Sequence, residues 1–150
     1  MTTEELLSNL EPGNTLLARN DPFDYRGKAE ITLDGGDRVY WLFGDEGAFL
    51  SVNPQTDEIM IFTPAEGEVE EEEDIVSYFN DSYELSYEDH GEMTSVEEIV
   101  SGEEGNQFHF RDFEDEEGRV IRLLENESTN EENAYAGSVL LEEDLTLVEE

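Results

Sequence analysis

The period of the hydrophobic pattern changes once, near residue 14. Before it, Leu6, Leu7 and Leu10 share one face of a short helix. Thr2 can cap that helix, and Glu5 three residues on completes a capping box. Glu11-Pro-Gly-Asn14 ends it and turns the chain. Beyond this turn the apolar residues come in short β-branched and aromatic runs with a period of two, bounded by turn residues, as in half-buried strands. Strands are expected over 15–19, 29–33, 38–43, 48–52 and 58–62. Asp34-Gly-Gly-Asp37 and Asn53-Pro-Gln-Thr-Asp57 serve as hairpin loops. Further strands are expected over 75–79, 83–87, 93–100, 107–113, 119–124, 135–141 and 145–148. The segment 93–100 has a helical alternative, because Val96, Ile99 and Val100 also fit that spacing. Turns are expected over 102–105 and 114–118.

Tyr40-Trp41-Leu42-Phe43 is apolar without a break, the pattern of a strand covered on both faces. No repeat of fixed period is present. The expected fold is mainly β. It is a single domain over 1–150 of antiparallel strands, arranged as a curved sheet, a sandwich or an open barrel, with an N-terminal helix and turn over 1–12.

Composition supports a folded core. The chain has 150 residues, enough for one domain without covalent staples. Eight Phe, six Tyr and one Trp are more aromatics than a disordered acidic chain carries. The absence of cysteine excludes disulfides, thiolate metal sites and a cysteine nucleophile. No apolar stretch approaches a membrane span, and the N-terminus has neither the basic nor the apolar region of a signal peptide. A cytoplasmic location without membrane insertion is therefore expected.

Charge changes the picture more than anything else. Asp and Glu number 42 against 7 Lys and Arg, a formal net charge of −35. Such a surface repels nucleic acid and anionic lipid. It suits a basic protein, nonspecific polyamine or divalent-cation binding, or a salty cytoplasm. The low-complexity run 66–74 is expected to loop into solvent, and Glu70, Glu71, Glu72, Glu73 and Asp74 are its candidate interaction surface.

Chemistry-bearing motifs are absent or weak. His90 falls in Glu88-Asp-His-Gly91, which reads as a turn. His109 lies between Phe108 and Phe110 and is expected to face outward. Both read as ordinary surface histidines, since a zinc site needs three or four ligands. The acidic loops lack the order of a calcium loop. With 42 acids, paired carboxylates carry no information about glycosidase chemistry. No nucleophile elbow, dinucleotide fingerprint or phosphate loop occurs. Arg111, Arg119 and Arg122 fall on neighbouring strands and read as cross-strand partners of Asp or Glu. No catalytic residue, cofactor or dedicated metal is expected.

Several short motifs carry a resemblance. Trp41-Leu-Phe43, Phe49-Leu50, Tyr83-Glu-Leu85, Gly91-Glu92, Phe110-Arg-Asp-Phe113, Arg119-Val-Ile-Arg-Leu-Leu-Glu125 and Ala134-Tyr-Ala-Gly137 together resemble a prokaryotic domain-of-unknown-function family, number 4178 in that series. The resemblance spans about residues 10–148 and picks out Trp41, Tyr83, Asp112, Glu125, Tyr135 and Gly137 as family-like structural positions. It implies a β-rich accessory protein without assigned activity, encoded near spermidine-synthase-like and small membrane proteins. The chain departs from it in its acidity and in lacking a tryptophan after Leu124-Glu125.

The expectation that follows is a non-enzymatic acidic β domain. It would act as an accessory or protein-interaction module, with a surface suited to high salt. The alternative is a nucleic-acid mimic that occupies a DNA-binding protein, which requires carboxylates in duplex-like rows.

Overall fold

The structure is a computed structural model that describes residues 2–98 and 103–148. It is mainly β, with one short α-helix among the described residues, α1, over Thr3–Asn9. The expected capping box is present: Thr2 accepts from the Glu5 backbone N–H, and the Glu5 carboxylate accepts from the Thr2 backbone N–H.

Eight strands close into a barrel. They are β3 (Gly27–Leu33), β4 (Arg38–Phe43), β5 (Phe49–Asn53), β6 (Glu58–Pro64), β9 (Asp81–Glu98), β10 (Gln107–Glu114), β11 (Arg119–Asn126) and β12 (Glu131–Leu140). Around the ring the order is β3-β4-β5-β6-β12-β11-β10-β9, and β9 returns to β3. All neighbours are antiparallel. The barrel is thus two four-stranded meanders, whose first strands pair at one seam and whose last strands pair at the other. The antiparallel β fold is as expected, but the barrel is closed where an open one was among the expected arrangements. Closure removes the sheet edges that an open arrangement would leave.

An eight-stranded barrel has an interior just wide enough to be filled by side chains. Trp41, Phe43, Phe49, Phe62, Phe108 and Phe110 fill it, with Ile31, Val39, Met60, Met93 and Val120 between them. The outer face of β4–β6 is also covered. Leu42, Leu50, Val52 and Ile59 there pack against Leu6 of α1 and against a small sheet in the order β13-β1-β2. Its strands are β1 (Thr15–Ala18), β2 (Asp21–Asp24) and β13 (Leu145–Leu147). Burial on both faces explains the unbroken apolar run 40–43.

A second layer covers another side. β7 (Val69–Glu72) and β8 (Ile75–Tyr78) form a hairpin that continues from the N-terminal end of β9. Its inner face, Val76 and Tyr78, packs with Tyr83, Phe113 and Ile121. β9 makes this possible by serving two layers. Residues 81–84 pair with β8 and residues 91–98 with β3, with register irregularities on each side. Such bulges bend and twist a strand.

Two expectations are corrected and one alternative is resolved. The run 66–74 is not a solvent loop throughout, because Val69–Glu72 is a strand and Glu73-Asp74 the turn after it. His90 lies in a strand, not a turn. Of the expected strand 93–100, residues 93–98 are strand and the helical alternative is not realised; 99 and 100 lie outside the described residues, as does 102 of the expected 102–105 turn.

Candidate functional site

The barrel centre holds a buried ion pair. β10 and β11 set Asp112 directly opposite Arg122, and alternation points both inward. Arg122 donates from Nε and Nη2 to the two Asp112 carboxylate oxygens at 2.7 and 2.9 Å, and from Nη1 to the Ser51 hydroxyl at 3.2 Å. Its guanidinium lies between the Phe62 and Phe110 rings, 4.6 and 4.7 Å from their centroids. Arg122 is 1% exposed and Asp112 3%. A buried charge persists only when paired and hydrogen-bonded, and the bidentate fork supplies that pairing.

This pair forms the floor of a cavity of about 330 Å³ at the barrel end that carries the 54–57 turn. Met60, Phe110, Val39 and Val120 contribute apolar wall, and Glu58, Glu114, Asn53 and Tyr87 the polar rim. Burial pushes the Glu58 carboxyl above the usual range, and the Asp112 and Glu114 charges add to the shift. The Tyr87 phenol is also pushed up, by burial and then by its hydrogen bond to Asp89. The opposite barrel end has a cavity of about 420 Å³ beside Phe108, Leu124, Asn126 and Tyr135.

On the outer surface, β9 and β10 bring His90 opposite His109. The two rings stack 4.2 Å apart with an interplanar angle of 6°. His109 Nε2 lies 2.6 Å from Glu88, and His90 Nδ1 lies 3.3 Å from Glu127. The sequence places His109 outward correctly, but the pairing needs the register. Among the described residues no group of three His, Cys, Asp or Glu side chains is arranged to hold a metal ion.

The acidic hairpin borders a groove of about 650 Å³ over β11 and β12. Its floor and walls include Leu123, Ala134, Val69 and Pro64, with Glu71, Glu125 and Glu132 at the sides. Arg111 reaches across to pair with Glu71, which raises the guanidinium pKa through that bond. Among the described residues β7 has one strand neighbour, β8, and its other edge is free. The Glu73-Asp74 turn makes Glu72 and Ile75 a hydrogen-bonded pair, and alternation does the same for Glu70 and Ser77. The peptide groups of Val69 and Glu71 therefore face the free edge.

The residues singled out from sequence do not form one site. Glu70 to Asp74 lie together on the hairpin. Trp41 is buried in the barrel, edge-on to Phe108 and Phe110, and its indole N–H has no hydrogen-bond partner among the described residues. Tyr135 packs its ring against Phe49, and Asp112 binds Arg122. Tyr83 is buried outside the barrel, opposite Val76 of β8 and packed with Phe113 and Ile121. Glu125 lies on the outer surface 4.0 Å from His109. Gly137 sits where β12 crosses closest to β6: a Cβ there would stand 1.9 Å from the Ile61 carbonyl oxygen. Arg122 is legible as a buried centre only through its place opposite Asp112, which requires the strand register.

No family model, curated protein or solved structure matches the chain. No helix among the described residues is long and apolar enough to cross a membrane.

Proposed function

We propose that this chain is a non-catalytic interaction domain that docks a basic, extended segment of a partner protein on the edge of β7. The observation that carries the reading is the free, acidic edge strand beside an apolar-floored groove. An open edge is a template for β-augmentation. Four successive acids over 70–73 repel a second copy of the same edge and attract lysine or arginine. The reading includes a cytoplasmic setting, in keeping with a chain without cysteine, and a surface suited to high salt. The motif resemblance to a β-rich accessory family points the same way. A nucleic-acid mimic is less well supported. Exposed acids occur on several separate elements: on α1 (Glu4, Glu5), in barrel-end turns (Asp34, Asp37, Glu116, Glu117) and on β12 (Glu131, Glu132).

The test is fluorescence anisotropy with a labelled peptide of alternating lysine and valine. Binding is expected to saturate and to weaken with salt. With Glu71→Gln as the control that loses the Arg111 ion pair but keeps the backbone N–H, Glu71→Pro removes an outward N–H without removing a β7–β8 ladder bond, as proline at an exposed edge does. It is expected to abolish binding while the thermal melt stays cooperative. Equal binding by Glu71→Pro and the parent chain would refute edge docking. Failure of the peptide to bind at all would refute the basic-segment reading.

A further inference from the structure

The strand register puts four titratable side chains in one row across the barrel wall. His90 of β9 stands opposite His109 of β10, His109 opposite Glu125 of β11, and Glu125 opposite Glu132 of β12. The row runs into the groove beside the acidic hairpin, whose lining includes His109, Glu125 and Glu132 but not His90. Like charges directly opposed across two strands destabilise the pairing. No lysine or arginine pairs with Glu125 or Glu132 among the described residues, and the group in reach of the Glu125 carboxylate is His109 Nδ1, at 4.0 Å. The other ring nitrogen of His109, Nε2, lies 2.6 Å from Glu88. A neutral imidazole has one N–H and can donate to one of these carboxylates, whereas the imidazolium donates to both. The near-parallel stack on His90 holds the ring in this orientation.

We propose that His109 is a proton switch on this groove: on acidification its imidazolium takes Glu125 as a partner and weakens the docking of a basic segment. The inference rests on the docking reading and adds its regulation. Histidine is the side chain whose charge ordinarily changes between about pH 5 and 8, while carboxylates stay ionised there and a partner's lysines stay charged. The proton acts twice at the groove wall. It places a positive charge among the acids that attract the partner, and it commits Glu125 to an internal pair. Charges reach the two rings from every neighbouring element. On β9, Asp89 accepts from the His90 backbone N–H and the Tyr87 phenol, and Glu92 accepts from Gln107. Glu127, after β11, faces His90 Nδ1 at 3.3 Å, and the Asp34 backbone N–H donates to the His90 carbonyl from the β3–β4 turn. Arg111, opposite Glu88 on the next row, is held by Glu71 of β7. Arg111 and Glu71 also line the groove, but they keep each other as partners across this pH range.

The lysine–valine peptide, N-acetylated and carrying a dye whose emission does not change with pH, is titrated at about pH 7.5 and about pH 5.5 in about 0.1 M potassium chloride. For the parent chain Kd is expected to rise about three- to fivefold on acidification, the effect of one partly exposed charge contact. His109→Gln is expected to lose this pH dependence. His90→Gln removes the same charge from outside the groove lining and is expected to keep it. Both histidines are on the outer surface, and melts confirm that the variants fold. Histidine-ring NMR of the free chain gives a readout that needs no peptide: the His109 ring is expected to gain charge between the two pH values. The switch is overturned by a His109 ring that keeps one charge state across the range, by a pH dependence that survives in His109→Gln, or by one lost equally in His90→Gln. A peptide that binds at neither pH refutes the docking reading and the switch with it, whereas one that binds the parent chain equally at both refutes the switch alone.

Discussion

Replacing Arg122 by methionine leaves the Asp112 carboxylate buried without its two guanidinium donors. Breaking a buried pair from one side costs about 3–5 kcal/mol, because the remaining charge is uncompensated. For a domain of this length 1 kcal/mol moves the melting temperature by about 2–4 °C, so Arg122→Met is expected to melt roughly 6–20 °C lower. Asp112→Leu should cost less, since the cation it strands keeps the Phe62 and Phe110 faces. The double variant should recover most of the loss, as apolar replacement of both partners is often neutral or stabilising. Thermal melts followed by circular dichroism, completed as a double-mutant cycle, measure each step. The cycle should be run at low and at molar potassium chloride. Salt raises all four melting temperatures by relieving surface repulsion, but the coupling between 112 and 122 should not change, because a buried pair is hardly screened. A loss below about 1 kcal/mol for Arg122→Met, or a coupling that vanishes in salt, would mean that water reaches the pair, as in an exposed ion pair.

Further outcomes follow from other positions. Gly137→Ala forces a methyl against the Ile61 carbonyl and should break the β6–β12 seam, seen as loss of the cooperative melt; a melt within a few degrees of the parent would refute the close approach. Because the folded-state Glu58 carboxyl is raised, its favourable contribution is complete at acid pH and is lost as pH rises through its folded value. Glu58→Gln should therefore be more stable than the parent at pH 7, by up to about 1 kcal/mol after allowing for partial exposure, and no different below about pH 4. A gap independent of pH would contradict this. The parent chain, at −35, should gain melting temperature steeply from about 10 mM to 3 M potassium chloride, and a flat profile would show that its charge does not oppose folding.

Turn chemistry made much of the fold readable. The Asp34–Asp37 and Asn53–Asp57 loops name themselves through glycine, proline and asparagine, and the flanking strands fall within a residue or two of their expected bounds. Two strands were illegible for physical reasons. β2 contains Pro22, which disfavours a strand reading, and it is tolerated because β2 is the edge of its sheet. β7 is Val-Glu-Glu-Glu, poor in β propensity, and is held by packing of Val69 and by the Arg111–Glu71 pair. Its flanking turns use non-glycine residues at positive φ, Glu73 before β8 and Phe79-Asn80 after it, so no glycine marks them. The candidate sites depend on register. Alternation shows that 110, 112 and 122 face one way, but not that Arg122 stands opposite Asp112, nor that His90 meets His109.

The way the two meanders join has a consequence for how the chain reaches its fold. Within each meander every pairing is between sequence neighbours and needs only short loop closures. The two seams, in contrast, join residues about 60 to 80 positions apart. Local hairpins form in microseconds, while distant pairings carry the entropy of closing long loops. Both seams link the same two halves, so docking one half on the other pays that entropy once and completes the cylinder in a single step. Each half is therefore a curved open sheet awaiting its complement, and cutting the chain between Pro64 and Val69 would leave two fragments able to find each other again.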